Sequence, residues 1–312
     1  MNKHDVCGIV VTYHPDADFP TRLRRLASQV GAMVIVDNGS ADTAVRMLHD
    51  IARNDALSLV LNSENLGIAR ALNIGIERAT QLGYRWVLLL DQDSHVHDDL
   101  VATLVDVQNS HPDRERLAVI GSGYREVRAA HRPRNIEEAV GNQWDPVDWV
   151  ITSGSLLSLA IYSVVGPFRE EFFIDYVDLE YCIRARANGY SVINVRRPLI
   201  SHVIGAPTQH KLLWTTRWTT NHPADRRYYR ARNDTVMLRE YGNYRYWRIK
   251  SCMRSFRTCK RIVLYERGKA DKVIAVVQGW WDGIHGIMGP RNKVPGREHS
   301  AAKNAPAGAK SG

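Results

Sequence analysis

Short blocks of apolar residues alternate with longer, mixed stretches through the first 122 residues of the chain. The blocks predict β-strands, and the stretches between them carry apolar residues every three or four positions, which predicts helices. The predicted strands span residues 6–12, 32–36, 57–61, 86–90 and 117–122, and the predicted helices span 20–30, 42–52, 67–81 and 98–108. Such alternation is typical of a mainly parallel sheet with helices on both faces, so the pattern predicts an α/β fold.

Beyond residue 147 the pattern changes, and after Pro207 it becomes basic and aromatic. Further strands are predicted over 147–152 and 191–195, and between them a helix over 178–187 with Ile183 and Ala187 facing inward. Later apolar residues recur at near-helical spacing in two sets: Tyr246, Ile249, Met253, Phe256 and Val263, and then Val273, Val276, Val277, Trp280, Trp281, Ile284 and Met288.

We therefore expect three parts. Residues 1–207 form the α/β domain, and residues 208–290 form a basic, aromatic-rich helical extension. Residues 291–312 form a tail whose Gly, Pro, Ala and Lys content is typical of disorder.

Polar residues follow three of the first four predicted strands. Thr12-Tyr13-His14 follows the first, Asp37-Asn38-Gly39-Ser40 the second and Asp91-Gln92-Asp93-Ser94 the fourth. In open α/β sheets, ligands bind beyond the carboxyl ends of the strands. Asp91 and Asp93 are two positions apart on an extended chain, so both carboxylates point the same way. Two carboxylates are hard oxygen ligands of the kind that bind a divalent cation, and such a cation can in turn bind a diphosphate. The simpler alternative is a turn in which Asp93 or Ser94 caps the next helix.

Composition limits the possible settings of the chain. The hydrophobic content of 44% suits a globular core, and no apolar run reaches the ~18 residues that a membrane-spanning helix needs. The start of the chain lacks the pattern of a secretory signal, and the four cysteines form no CxxC pair, which indicates a cytosolic setting. The net charge of +9 is uneven: residues 1–207 carry 20 Lys and Arg against 26 Asp and Glu, and residues 208–312 carry 22 against 7. The basic extension therefore predicts attraction to an anionic partner.

Six motifs occur in an order that resembles the inverting family 2 glycosyltransferases with a GT-A fold, and among them the bacterial rhamnosyltransferases. The motifs are Val11-Thr12-Tyr13, Asp37-Asn38-Gly39-Ser40, residues 65–73 (Asn-Leu-Gly-Ile-Ala-Arg-Ala-Leu-Asn), Asp91-Gln92-Asp93-Ser94, residues 173–180 (Phe-Ile-Asp-Tyr-Val-Asp-Leu-Glu) and His202. The resemblance covers residues 6–205 and continues less firmly to about residue 240. It implies a GT-A (Rossmann-like), mainly parallel sheet, a nucleotide-sugar donor and a divalent metal ion.

Eight residues are assigned to the nucleotide sugar: Thr12, Tyr13, Asp37, Asn65, Gly67, Arg70, Asp91 and Gln92. Thr12 and Tyr13 offer a hydroxyl and a ring to bracket the base, and by resemblance Asp37 accepts from the base imide. Asn65 and Gly67 open a helix whose free N–H groups attract phosphate or sugar hydroxyls, or they only cap and pack that helix. Arg70 either lies near the diphosphate or is solvated.

The resemblance also implies roles for the metal-binding residues. Asp91 contacts the ribose, Asp93 coordinates Mn²⁺ or Mg²⁺, and His202 joins the metal shell. An imidazole ligand favours Mn²⁺. The alternative for His202 is a hydrogen-bonded histidine at a strand end.

Sugar transfer with inversion needs one base that takes the proton of the acceptor hydroxyl. Asp178 aligns with the catalytic acid of the resembling family, although it also suits a helix N-cap. Asp175 is the rival base, and Glu180 contacts the acceptor or Arg184. The cluster reads Asp-Tyr-Val-Asp-Leu-Glu in place of the common Glu-Asp-x-Asp, which favours the rhamnosyltransferase branch. The Gln-x-x-Arg-Trp loop of processive synthases is not evident, so a single-addition enzyme is predicted.

The predicted function is transfer of L-rhamnose from dTDP-β-L-rhamnose to a polysaccharide or lipid-linked acceptor. Two alternatives remain open. The enzyme could use another donor, UDP-galactofuranose or a UDP-hexose, or the chain could be a non-catalytic protein that binds nucleotides or nucleic acid. No nucleic-acid motif occurs, so the basic extension is interpreted as an anionic-membrane contact at the inner face of the cytoplasmic membrane. The alternative is a helical extension packed on the body, and a homo-oligomer is compatible with either.

Overall fold

In this computed structural model, the structure describes residues 1–53, 57–126, 143–202, 208–212, 215–219, 221–241 and 257–291. The strands are β1 (Val6–Thr12), β2 (Ala32–Asp37), β3 (Leu57–Leu61), β4 (Trp86–Asp91), β5 (His95–Val96), β6 (Leu117–Gly121), β7 (Tyr124–Glu126), β8 (Trp144–Pro146), β9 (Ser155–Ser158), β10 (Ser191–Val195), β11 (Ile200–His202), β12 (Thr208–Leu212) and β13 (Thr215–Thr219). The helices are α1 (Phe19–Ala27), α2 (Asp42–Ala52), α3 (Ile68–Gln81), α4 (Leu100–Ser110), α5 (Leu159–Val165), α6 (Val177–Ala187), α7 (Ala224–Tyr241), α8 (described over 257–265) and α9 (Lys269–His285).

Eight strands form the central sheet, in the order β3-β2-β1-β4-β9-β6-β10-β8. The first four in this order are parallel, β9 runs antiparallel to both β4 and β6, and β10 is parallel to β6. The sheet is therefore mixed and mainly parallel, which confirms the predicted fold class.

Helices cover both faces of the sheet because successive side chains of each buried strand point to opposite sides. In β1, Ile9 packs into one core with Leu72 of α3, whereas Val10 packs into a second core with Leu23 of α1 and Leu104 of α4. All of these side chains are buried. This layering leaves the carboxyl ends of β1, β2 and β4 at one edge, where the polar motifs lie.

The predicted strand over 147–152 is wrong. The chain there forms a loop, and Gly154 then turns it back (φ +78°) with its N–H donated to the carbonyl of Leu89. Strand β9 follows and pairs antiparallel with β4. The inward placement of Ala187 is also wrong, since this residue is exposed at the end of α6, whereas Ile183 is buried.

The extension packs on the α/β core through α7. Arg232 and Asn233 of α7 are fully buried, and both donate to backbone carbonyls of the loop before α6. The second apolar set does not form one buried face, because Val276 is buried while Val277, Trp281 and Ile284 are exposed. In the first set, Val263 is exposed, and the other four residues lie outside the described part of the chain. Among the described residues, we find no helix both long and apolar enough to span a bilayer.

Candidate active site at the carboxyl edge of the sheet

The ends of β1 and β2 form a preorganised wall around Asp37. Thr12 lies opposite Asp37 in the paired strands, and its hydroxyl donates to the Asp37 carboxylate at 2.9 Å. The backbone N–H and the hydroxyl of Ser40 donate to the two oxygens of that carboxylate at 2.8 and 2.6 Å. Asp37 is only 1% exposed, and these three donors compensate its burial. A carboxylate has about four acceptor positions, so one further donor can be accommodated.

Gln92 joins the end of β4 to the end of β1. Its side-chain carbonyl accepts from the backbone N–H of Tyr13 (2.8 Å), and its amide donates to the carbonyl of Tyr13 (3.1 Å). Arg22 fixes the other side of this turn by donating from Nε to the carbonyl of Gln92 at 3.0 Å. The ring of Tyr13 stays partly exposed beside the His14 ring. Gln92 thus holds the strand ends together and leaves the Tyr13 ring open to a planar ligand.

The start of α3 is less open than the sequence indicated. The N–H of Gly67 donates to the side chain of Asn65 (2.9 Å), and the N–H of Ile68 donates to the carbonyl of Phe173 (2.7 Å). Gly67 has φ +85°, and a Cβ there would lie 2.7 Å from the Phe173 ring and from its carbonyl oxygen. The N–H groups of Gly67 and Ile68 are therefore not free, contrary to the prediction for this helix start: the first bonds to Asn65, and the second holds α3 against the loop around Phe173.

Arg70 points to a protein carboxylate. Its Nη1 donates to both oxygens of Glu170 at 2.8 and 3.1 Å, and the Arg70 side chain is half exposed. Asn73 supports the same carboxylate by donating to it at 2.9 Å. Arg70 is therefore ion-paired with Glu170, a partner that neither predicted alternative, the diphosphate or solvent, included.

Asp178 opens α6 as a partly buried carboxyl group. Its two oxygens accept from the backbone N–H groups of Leu179 (2.8 Å) and Thr152 (3.3 Å). A small void beside Asp178 is lined mainly by buried core residues, Leu89, Val119, Val150, Leu157, Phe168, Tyr181 and Cys182. Burial, and secondarily the negative charges of Asp175 and Asp91, raise the pKa of Asp178 to about 6. A carboxylate with that pKa suits proton transfer near neutral pH.

Asp175 forms a bidentate ion pair with Arg226 at the start of α7. Nε and Nη2 of Arg226 each lie 3.1 Å from one oxygen of Asp175. Burial alone would lower the pKa of Arg226, but the negative charges of Asp175, Asp91 and Asp93 outweigh it and raise that pKa. Arg226 therefore places a positive charge near Asp175 of the acidic loop and near Asp91 and Asp93 after β4.

The arrangement fits a divalent cation through its donor chemistry. Asp91 ends β4 and Asp93 follows in the turn, so two hard carboxylate oxygens occupy the edge of the sheet. The hydroxyls of Ser94 and Ser153 lie 2.5 Å apart and hold this turn against the loop before β9. Among the side chains that the structure describes, no group of three or more His, Cys, Asp and Glu residues is close enough to share an ion. His202 is the last residue of β11, and its side chain lies outside the described part.

Glu180 faces the protein interior. It is 0% exposed, accepts from Arg184 at 2.8 and 3.0 Å, and accepts from the hydroxyl of Tyr241 at 2.9 Å. The predicted contact with Arg184 is confirmed, and the alternative contact with an acceptor is disfavoured because the carboxylate is enclosed.

Sequence reasoning missed three residues near the acidic loop: Arg226 and Asn233 on α7, and His222 just before that helix. Arg226 pairs with Asp175, and Asn233 fixes the backbone of the same loop. His222 is buried nearby; burial, and then the charges of Arg226 and neighbouring arginines, lower the pKa of His222 to about 4, so it is neutral at pH 7. None of the six sequence motifs contains Arg226, Asn233 or His222, so the sequence gave no signal for these contacts.

Comparison with known proteins finds glycosyltransferases. Residues 8–156 match the family model described as Glycosyl transferase family 2. The chain is 27% identical over 301 residues to the dTDP-rhamnosyl transferase RfbF of Shigella flexneri, an alignment that covers 93% of this chain and 98% of that protein.

Two solved structures show a similar fold. S. aureus TarS 1-349 has a TM-score of 0.58 at 14% identity, with 91% of this chain and 81% of that chain covered. A mannosyltransferase from Pyrobaculum calidifontis, PcManGT in complex with GDP-Man and Mn²⁺, has a TM-score of 0.52 at 18% identity, with 75% and 63% covered.

Proposed function

We propose, on the premise that this chain is a family 2 glycosyltransferase, that it transfers L-rhamnose from dTDP-β-L-rhamnose with inversion and with the help of a divalent metal ion. One observation carries the mechanistic part: Asp178 is a partly buried carboxyl group whose pKa is raised to about 6, and the negative charge of Asp91 at the end of β4 contributes to that shift. The choice of donor is supported by similarity to RfbF over nearly the whole of both chains.

The donor's base and ribose are assigned to the ends of β1, β2 and β4. Tyr13 offers its exposed ring for stacking, and the Asp37 carboxylate, held by Thr12, accepts from the base imide. Asp91 takes the ribose. Gln92, Asn65 and Gly67 contribute by holding the surrounding loops in shape, since their polar groups already bond to the protein.

The diphosphate is assigned to the neighbourhood of Asp93 and Arg226. Asp93 and His202 would hold Mn²⁺ or Mg²⁺, which when bound neutralises negative charge on the departing diphosphate. Arg226 supplies a fixed positive charge beside the same carboxylates. A guanidinium suits this place because it stays protonated and its planar donors match phosphate oxygens.

Asp178 is the base. It accepts the proton of the acceptor hydroxyl while the acceptor oxygen bonds to the anomeric carbon, and the bond from that carbon to the diphosphate breaks on the opposite face. Asp175 is the weaker candidate because its carboxylate forms a bidentate ion pair with the Arg226 guanidinium, whereas Asp178 accepts only from two neutral backbone N–H groups. We assign Asp175 to positioning Arg226.

The acceptor is a polysaccharide or a lipid-linked glycan at the inner face of the cytoplasmic membrane. The α/β core is followed by a basic extension, which suits an acceptor held at an anionic surface.

The decisive experiment combines binding with turnover. Calorimetry with dTDP and with UDP, each with Mn²⁺, with Mg²⁺ or with EDTA, should give tightest binding for dTDP with metal. Release of dTDP from dTDP-β-L-rhamnose should then exceed release of UDP from UDP-galactofuranose or UDP-glucose. Preference for a uridine donor would replace the rhamnosyl assignment, and no turnover across the panel would contradict the enzymatic one.

A further inference from the structure

Helix α9 packs on α7 through its small and polar residues. A Cβ at Gly279 would lie 2.4 Å from the carbonyl oxygen of Tyr228, and a Cβ at Gly283 would lie 2.7 Å from that of Arg232. Between them, Asp282 is 0% exposed and accepts from the hydroxyl of Tyr228 at 2.5 Å. The two helices thus approach closely where Gly279 and Gly283 face α7.

The outer face of α9 is apolar. Ile274, Val277, Trp281 and Ile284 recur at intervals of three and four residues, which places them on one side of the helix, and each is between 52 and 61% exposed. A surface helix normally shows the reverse order, with apolar residues inward and polar residues outward. We call these four residues the α9 stripe.

Basic residues accompany the α9 stripe. Over 257–285 the exposed charged residues are Arg257, Lys260, Arg261, Arg267 and Lys269 against one exposed acid, Asp271. The remaining acids of this segment are buried: Glu266 binds Arg227 and Lys272, and Asp282 binds Tyr228. The exposed charge of α8 and of the turn before α9 is therefore mainly positive, and this segment directly precedes the α9 stripe in the chain.

We propose that the α9 stripe inserts into the interfacial layer of an anionic membrane, with the basic residues of α8 and of the turn before α9 against lipid headgroups. An apolar helix face flanked by cations has the chemistry that interfacial helices use. A second copy of the chain suits this surface less well, because two identical basic surfaces would repel each other in a symmetric contact.

Contact of α9 with a membrane would also affect the position of the candidate active site. Helix α9 is locked on α7, and α7 holds Asp175 through Arg226 and Asn233. Membrane contact at α9 therefore places the acidic loop at a fixed distance from the lipid surface. The proposal goes beyond the transfer reaction, and its test requires no donor.

The test is co-sedimentation of the full chain with vesicles of phosphatidylcholine alone and with added phosphatidylglycerol. The chain should bind the anionic vesicles, and the double variant Trp281→Ser/Ile284→Ser should bind at least tenfold more weakly. Val164→Ser is the matched control, since Val164 is 66% exposed on α5 and should leave binding unchanged. A second variant, Arg267→Glu/Lys269→Glu, should weaken binding to anionic vesicles and leave the apolar strip intact.

Circular dichroism checks that the variants are folded, and light scattering measures whether the chain is a monomer or a dimer. Variants with unchanged spectra that retain full vesicle binding would overturn the proposal, as would a wild-type chain that binds neither vesicle or binds both equally. A dimer that Trp281→Ser/Ile284→Ser dissociates, without vesicle binding by the wild type, would assign the stripe to a second copy and also overturn it. Because nucleotide sugar is absent throughout, failure here is separate from failure of the proposed activity.

Discussion

The side-chain amide of Asn233 donates to the backbone carbonyl of Asp175 at 2.9 Å. The same amide nitrogen lies 3.0 Å from the carbonyl oxygens of Phe172 and Ile174. Asp175 and Tyr176 have positive φ angles of 63 and 67°, a conformation that side chains other than glycine adopt at a cost. A buried amide on α7 therefore stabilises the strained loop that presents the acidic residues.

Replacing Asn233 should damage both stability and turnover. Asn233→Ala leaves buried carbonyls without a donor, which costs about 1–3 kcal/mol in the free energy of unfolding. With the loop loosened, kcat should fall more than the donor KM rises. Asn188→Ala is the control, because the amide of Asn188 donates to one carbonyl at an exposed helix end. Denaturant unfolding and steady-state kinetics measure the two effects, and equal behaviour of both variants would refute the positioning role.

Asp178→Asn should abolish the base and preserve donor binding. The amide keeps the shape of the carboxyl group but does not take up the acceptor proton, so kcat should fall by roughly 10²–10⁴-fold with little change in the donor Kd. Asp106→Asn, at an exposed position on α4, is the matched control. Single-turnover rates and calorimetry distinguish the outcomes. If Asp175→Asn removed activity and Asp178→Asn did not, the base would be Asp175.

The pH profile of kcat/KM should report Asp178. Since burial raises the pKa of Asp178 to about 6, the base is protonated below that pH, and the rate should rise with pH through about 6 and then level off. Rates measured from pH 4.5 to 8.5 in buffers of constant ionic strength test this. A profile that is flat across pH 6 would contradict the assignment.

The same shift makes Asp178 a destabilising group at neutral pH. The folded state holds its proton up to about pH 6, whereas an unfolded Asp releases it near pH 3.9, so the contribution of this group to stability is present below pH 4 and is lost as pH rises through 6. The loss is on the order of 2 kcal/mol. Asp178→Asn should therefore lower stability less at pH 7.5 than at pH 4.5, as measured by urea unfolding at both pH values.

Gly67→Ala should destabilise the chain more than Gly83→Ala. Both glycines have φ +85°, so both variants bear the strain of a Cβ at positive φ, about 1–2 kcal/mol. Only at Gly67 does the new Cβ meet other atoms, those of Phe173, whereas nothing lies within 4 Å at Gly83. The excess loss at Gly67, about 1–3 kcal/mol, measures how tightly α3 holds the acidic loop. Equal melting temperatures for the two variants would contradict this packing.

The sequence predicted the fold well where structure is local. Strands β1 and β3 and helix α2 begin and end where the apolar pattern placed them, because periodicity and burial act over a few neighbouring residues. The pattern was wrong over 147–152, where a glycine turn and pairing with β4 decide the direction of the chain.

The sequence by itself determined that Asp37 and Asp91 lie at the carboxyl ends of two strands of a mainly parallel sheet, and parallel strands bring those ends to one edge. In the structure these two strands lie on either side of β1. Only the tertiary structure decided the surroundings of the acidic loop. Arg226 and Asn233 reach Asp175 across more than fifty residues, and no periodicity records a contact between side chains so far apart in the chain. The raised pKa of Asp178 has the same origin, since it depends on which distant side chains exclude water from its carboxyl group.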